Sequence, residues 1–499
     1  MQAQPIKDDI EKGRRLAELV REQSSLLILD GVEPLQNRTV IDGGRLKDNG
    51  LYALLRDVER HGLGENSLVV VSSRQSLVEL DKCLSYQSVD LLRFSTADGI
   101  MLLKSLQVEG LPHEFVMAVE AYGGHALALV LLGNLLVEYF DGDVNQHERL
   151  PILEESENVV AGHHAERVMN FYEEQWASYA PERRFLNLLG LFDRPMDKVA
   201  MEALFVKAEV AEPLVKLSTM QWKKMLAHLR KMGLLLEKKG DFGEESYDTH
   251  PLIRSYFGKQ IQEHNPSIWK QTHLVLFEYF QTVPEKQQPD TLEELEPLYR
   301  AVVHGCLAGE YQKAFDIYRK RIERDDEHYS TKKLGGYAQD LTAITPFFPE
   351  NWKKTISSAL SEVEQGLLLA YGSFYLVSLG RLVEAVEPRQ TAIKLFNELE
   401  DWKEAALSTR NLTFLLMFIG KLDEARKNAL EYIIYAKNAE DTFEQIISHV
   451  TLATILHRQG SLKSASKHFK MAEKIKNSQL SSWEGAYYSI LTQVATYKS

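Results

Sequence analysis

Cysteine is nearly missing from this chain. Cys83 and Cys306 stand alone among 499 residues, too few for a disulfide framework or a cysteine zinc site, and in keeping with a reducing compartment. Long apolar runs are missing as well. No stretch of about 18 apolar residues occurs, so no membrane-spanning helix is expected. The opening "MQAQPIKDDIEKGRRLAELVREQ" lacks the apolar core of a secretory signal. Basic charge is in deficit, with 58 Lys and Arg against 71 Asp and Glu. That balance argues against broad nucleic-acid or membrane-surface binding. "VSSRQS" (71–76) lacks the Gly-flanked turn of a hydrolase serine. His147, His163 and His164 have neither regular ligand spacing nor an acidic partner, so no metal is expected there. These absences describe a multidomain cytoplasmic protein, long enough for about three domains.

What is present begins with an amphipathic helix over 9–23, with Ile10, Leu16, Leu19 and Val20 at helical spacing. The apolar run over 25–29 ends on Asp30 and reads as a strand buried on both faces of a parallel sheet. A helix (50–61) and a second strand, "LVVVSSR" (68–74), complete a strand–helix–strand pattern. A third strand is expected around 88–94. From 96 the pattern turns helical: "TADGIMLLKSL", "LPHEFVMAVEAYGG" with its Gly stop, and the strongly apolar "HALALVLLGNLLVEYF". Two more helices fill 164–190. A helix ending at Gly233 is followed by "LLLEKK" and "ESYDTH" flanking "GDFGE", a hairpin signal and the way a winged helix ends.

Beyond 265 no strand signal remains, and an internal repeat takes over. "GRLVEA" begins at Gly380, "GKLDEA" at Gly420 and "GSLKSA" at Gly460, a constant spacing of 40 residues. "EDWKEA" (400–405) falls at the half-period, and "GEYQKA" (309–314) is an out-of-phase copy. Helices starting about every 20 residues in antiparallel pairs make a tetratricopeptide-like α-solenoid with a concave binding face. Trp222, Trp352, Trp402 and Trp483 lie in apolar helical stretches and are expected to pack in cores.

The order of these parts resembles the STAND class of signalling ATPases, and within it bacterial proteins joining an NB-ARC-like module to tetratricopeptide repeats. "LLILDGVEPLQ" is similar to that family's Walker B segment and "VVVSSR" to its sensor strand. "GGHALALVLLGNLL" is similar to its glycine-rich helical segment, with His125 in place of Pro. "THPLIRSYF" is similar to its nucleotide-sensing winged-helix segment. The implied fold class is mainly α with an α/β part. It comprises a partial P-loop NTPase core (1–95), a helical subdomain (96–160), a winged helix (161–262), a helical linker (263–350) and tetratricopeptide-like repeats (351–499). The implied function is a switch closed by ADP and opened when a partner or ligand engages the repeats. ATP exchange then permits homo-oligomer formation, in a setting such as anti-phage defence.

The resemblance also implies roles. Asp30 would hold Mg²⁺ through water, and Glu33 would polarise the attacking water. Arg74 would sense the γ-phosphate, Gly123, Gly124 and His125 would shape the approach to base or ribose, and His250 would contact the β-phosphate of ADP. Beside these stand plainer roles: turn acid, surface arginine, helix stop and helix cap. One departure is large. No GxxxxGK[ST] occurs, and "FGK" (257–259) and "IGK" (419–421) sit within helical segments. ATP or ADP with Mg²⁺ is therefore expected only in a completed protein, and the chain alone is expected to be inactive as an ATPase. Two further readings stay open: a nucleotide-independent repeat scaffold, and a DNA-binding regulator using Lys223, Lys224, Arg230 and Lys231. Residues 1–95 are expected to be marginally stable alone, and the helix–hairpin segment and repeats to fold independently.

Overall fold

The computed structural model describes residues 9–32, 35–36, 46, 48–73, 76–78, 80, 83, 85–89, 91, 93–150, 163–176, 180–207, 209–239, 245–348, 352 and 359–479. The chain divides into two compact units, 1–95 and 96–499.

In the first unit, α1 (Asp9–Glu22) leads into β1 (Leu26–Leu29), and α2 (Asn49–His61) leads into β2 (Leu68–Val71). The two strands pair in parallel, Leu29 opposite Val71. The side of the sheet carrying Leu27, Leu29, Val69 and Val71 packs on Ala17, Leu51, Leu54 and Leu55. The other side corrects the expectation of burial on both faces: Leu26, Ile28, Leu68 and Val70 are between 41% and 65% exposed. Strand side chains alternate between two faces, so a run apolar at every position implied two covered faces, but only one is covered. The stripe expected on α1 is corrected in part. Val20 is buried as expected, beside Ala17, but Ile10, Leu16 and Leu19 face outward. The cause is a close helix crossing, since a Cβ on Gly13 would sit 2.1 Å from the Gly50 carbonyl oxygen. Small residues therefore occupy the seam and the bulky ones stay outside. The third strand expected around 88–94 does not form among the described residues, where Val89 and Leu91 are exposed and unpaired in any ladder.

The second unit opens with α3 (Thr96–Ser105), α4 (Pro112–Ala121) and α5 (Ala126–Tyr139). Leu129, Leu131, Leu132, Leu135 and Leu136 of α5 are fully buried, as suits a helix apolar on all sides. Next come α6 (His163–Gln175), α7 (Pro181–Leu189), β3 (Met196–Asp197), α8 (Lys198–Lys207), α9 (Glu212–Val215) and α10 (Thr219–Lys231). Then β4 (Leu236–Lys239) and β5 (Glu245–Asp248) form the expected hairpin. β3 adds to it unforeseen, giving an antiparallel sheet in the order β3-β5-β4. α11 (Pro251–His264) and α12 (Pro266–Phe280) follow. Trp222 packs edge-on against Phe185, Phe205 and Tyr247, the core role expected of it.

α13 (Leu292–Ala308) and α14 (Tyr311–Ile317) run into a π-helical turn, Tyr318–Ile322, before α15 (Tyr329–Leu334) and α16 (Tyr337–Ile344). The repeats are α17 (Glu362–Ser378), α18 (Val386–Glu398), α19 (Trp402–Phe418), α20 (Leu422–Asn438), α21 (Thr442–Arg458) and α22 (Leu462–Gln479). Each helix packs on the next. The three turns at the 40-residue marks share one hydrogen bond: Arg381, Lys421 and Ser461 each donate N–H at 2.8 Å to the carbonyl five residues back. Gly380, Gly420 and Gly460 make this possible with φ of 75°, 81° and 77°, the left-handed region that favours glycine. Ala385, Ala425 and Ala465 are fully buried at the helix crossings. One apolar core runs from Leu103 to Ala465 through the helix–hairpin segment and the repeats, and two smaller ones lie within the repeats, around Val450 and Phe469 and around Ala406 and Tyr432.

Candidate functional site

Asp30 stands just past the carboxyl end of β1. This is the edge at which open α/β sheets bind ligands. Because the strands are parallel and in register, the residue opposite is Ser72. Its hydroxyl donates to Asp30 Oδ1 and accepts the Gly31 N–H at 2.8 Å. Val32 N–H donates to the Ser72 carbonyl at 3.1 Å. A short loop is thus strapped to the end of β2, with the Asp30 carboxylate exposed at its tip. Gly31 has φ 68°, so a second acid directly after Asp30 would be strained by its Cβ. Glu33 and Arg74 lie outside the described residues. Sequence reasoning passed over Ser72 and Ser73. Ser73 Oγ donates to the fully buried Gln36 side chain, whose amide donates to the Ser76 carbonyl at 3.2 Å. The legible signal was the Ser-Ser pair following a strand expected to lie beside β1.

The Gly123-Gly124-His125 segment joins α4 to α5. Gly123 and Gly124 are both left-handed, with φ of 58° and 64°. The N–H groups of Gly123, Gly124 and His125 donate to the carbonyls of Glu120, Val119 and Tyr122. They close the C-terminus of α4 and so do not face a phosphate. His125 caps α5, its Nδ1 accepting the Ala128 N–H at 3.2 Å, and burial lowers its pKa. The ring is therefore neutral, with its proton on Nε2. Crowding around Gly123 was not visible in the sequence. A Cβ there would sit 2.8 Å from His164 Nε2. The buried Tyr122 hydroxyl has no hydrogen-bond partner and is pushed up to about 12 by desolvation. The Arg167 guanidinium lies 4.8 Å from the Tyr122 ring centre.

His250 caps α11 in the same manner, Nδ1 accepting the Leu252 N–H at 3.2 Å ahead of Pro251. That bond directs the ring proton to Nε2, the atom that would donate to an anion. The preceding Thr249 is buried and donates its hydroxyl to the Leu234 carbonyl at 2.8 Å. Gly233, next to Leu234, lies against Val130 and Asn134 of α5. α5 is therefore the common support: its first turn carries His125, and its middle backs the turn beside His250.

Among the described residues no three His, Cys, Asp or Glu side chains come together to hold a metal. His147 is buried with Nδ1 2.8 Å from its own turn's Val144 carbonyl. An exposed carboxylate beside a hydroxyl fits the water shell of Mg²⁺, which takes hard oxygen ligands and keeps several waters. The sequence holds no phosphate-loop motif, and the glycine N–H groups before α5 are already bonded within the chain. No helix of the described residues is long and apolar enough to cross a membrane.

No protein-family model and no curated protein matches the sequence. A solved structure, that of a Signal Transduction ATPase with Numerous Domains (STAND) protein with a tetratricopeptide repeat sensor from Pyrococcus horikoshii, is similar at 15% identity and a TM-score of 0.37. The alignment covers 93% of this chain and 64% of that one, so this chain spans less than two thirds of its length. A likeness of that size transfers no property.

Proposed function

We propose that this chain is the locking and sensing portion of a nucleotide-gated signalling switch of the STAND class. Its repeats take a protein partner. Its first unit supplies the Asp30 edge of a nucleotide site whose phosphate loop comes from outside these 499 residues. The single observation carrying this reading is the β1–β2 pair, with a strapped acid at its carboxyl edge and an apolar face left bare. Parallel sheets are covered on both faces, so a bare face is what remains when the layer that packs on it is supplied elsewhere. In the completed site Mg²⁺ would supply charge neutralisation at the phosphates. Asp30 and Ser72 would hold its water shell; separately, His250 Nε2 of the second unit is proposed as a donor to ADP. The helix–hairpin segment from α10 to β5 acts as the winged-helix lock, and a homo-oligomer forms when it opens.

The test is the intact mass of the protein from its host, read beside the DNA upstream of Met1 and a thermal-shift titration with Mg-ADP. A mass above 57.0 kDa, an in-frame GxxxxGK[ST] and an ADP-dependent shift support the switch. A native mass of 57.0 kDa with no shift overturns nucleotide gating. The second reading then stands, a nucleotide-independent scaffold resting on the three identical repeat turns. DNA binding by α10 is disfavoured, because Lys231 is committed to Glu138 at 2.7 Å and Met225, Leu226 and Leu229 are buried.

A further inference from the structure

Between α14 and α17 lies a cluster that neither the nucleotide reading nor the repeat reading uses. Glu323 follows the π-helical turn and Asp340 lies on α16, and both are fully buried. One hydroxyl stands between them. Ser330 Oγ bonds Glu323 Oε1 and also Asp340 Oδ2, the latter at 2.9 Å. A serine hydroxyl has a single proton to donate. It can serve one of the two carboxyls, so the other must itself carry a proton and donate to Ser330 Oγ. Otherwise two buried anions would compete for one donor.

The surroundings decide which carboxyl is protonated. Glu323 has a basic neighbour, His328, whose Nδ1 is 2.8 Å from Oε2. Asp340 has none. It meets Tyr299 of α13, whose hydroxyl donates to Oδ1 at 3.3 Å, and Tyr318 of the π-helical turn. The nearby arginines are engaged elsewhere. Arg319 reaches Tyr371 of α17 and Asp325, while Arg324 reaches the Pro289 carbonyl and Asp290. Burial, then the Glu323 charge, pushes the Asp340 carboxyl up to about 8.

The cluster also holds unfavourable backbone in place. Arg324, Asp325 and His328 all have positive φ, at 55°, 54° and 49°, conformations that non-glycine residues persist in only when over-determined by their surroundings. The π-helical turn before them is of the kind that marks functional segments. The loop is closed by Tyr329 N–H on the Glu323 carbonyl and Gly336 N–H on the Ser330 carbonyl, both at 2.9 Å. Tyr318, next to Asp340, shares a hydrogen bond with Tyr375 of α17, the first repeat helix.

We propose that Glu323, Ser330 and Asp340 form a proton-held latch that fixes the strained loop 323–336 and, through Tyr318 and Tyr375, the seating of the first repeat helix. The latch is tight while one proton is shared and loosens as that proton is drawn off. Linkage gives the direction. The folded Asp340 holds its proton more tightly than an exposed aspartate. The stabilisation is thus fully present below the ordinary aspartate range, is eroded as pH rises from about 4 towards about 8, and is level above that.

The experiment uses the full chain. Infrared spectra across pH 5–10 look for the carbonyl band of a protonated carboxylic acid, and hydrogen exchange reads the Tyr329 and Gly336 amides as protection factors. The band is expected at pH 7, is lost above about pH 8, and is absent from Asp340→Asn. Protection at the two amides is expected to fall by up to tenfold per pH unit below pH 8 and to be flat with pH in Asp340→Asn. Its amide can still donate to Ser330 and accept from Tyr299. A wild-type spectrum with no protonated carboxyl at pH 7 overturns the proposal, even if the variant does not fold. So does protection that is equally flat with pH in both proteins.

Discussion

Replacing the bare face of the first unit with threonine tests whether it is a contact surface or part of the chain's own core. The variant is Leu26→Thr, Ile28→Thr, Leu68→Thr and Val70→Thr, which places β-branched residues suited to strands at all four positions. Full burial of a Leu, Ile or Val side chain contributes ~1.5–3 kcal/mol. These four are 41–65% exposed, so roughly half of that remains to be gained at each, about 1 kcal/mol per residue and about 4 kcal/mol for the face. In the chain alone the change is expected to leave amide protection of β1 and β2 nearly unaltered, and to abolish binding of a hydrophobic dye. Against the polypeptide that completes the sheet, affinity is expected to fall about 10³-fold. Leu54→Ala is the control. Leu54 is 3% exposed, and its loss is expected to cost ~2–5 kcal/mol and strip protection from the unit. If the threonine variant unfolds the unit as Leu54→Ala does, the face is already buried and the reasoning about an incomplete sheet is wrong.

His250→Ala removes the cap of α11 and is expected to cost about 1 kcal/mol in thermal melts, whereas His250→Asn keeps a capping side chain and restores it. In the completed protein His250→Asn should still lose ADP affinity, and unchanged affinity there ends the phosphate role. Ser72→Ala withdraws the donor to Asp30 and the acceptor for Gly31. About 1 kcal/mol of local stability should go with it, read as faster exchange of the Gly31 amide. Gly420→Ala meets no atom within 4 Å but must hold φ 81°, so a loss of roughly 1–2 kcal/mol is expected from backbone strain alone. A neutral result would mean that the turn is not fixed. The His228 ring hydrogen-bonds Glu182 and neighbours Glu138, and the first of these chiefly raises its pKa. Its stabilisation is present below the ordinary histidine value and lost as pH rises through the raised one. The gap in melting temperature between wild type and His228→Gln should therefore close on going from pH 6 to pH 8.5.

The repeats were the most legible part of this protein. Gly380, Gly420 and Gly460 recur because one turn geometry demands a left-handed residue, and a demand local to five residues is written in those residues. The capping of α5 and α11 by His125 and His250 was foreseen among the plainer roles, since a side chain before a helix meets its first N–H groups regardless of the rest of the fold. Asp30 at a strand end was likewise a local inference. What the sequence could not carry was which face of each element would be covered. "LLIL" and "LVVV" are apolar at every position, so nothing in them distinguished a doubly buried strand from one with a bare side. On α1 the larger residues suggested the buried stripe, yet the close approach of Gly13 to Gly50 put the small residues inside.

Local sequence thus set most of the helices, the β4–β5 hairpin and the repeat turns, because hydrogen bonds and φ preferences act over a few residues. Tertiary structure alone decided the pairing of β3 with β5, the Ser72 strap on Asp30, and the meeting of Glu323 with Asp340 around Ser330. Only for the Ser72 strap did the chain hold a hint, the Ser-Ser pair after a strand expected beside β1; for the other two the neighbouring sequence gives no sign of the partner. Their chemistry exists only once packing excludes water and brings the groups within hydrogen-bond reach.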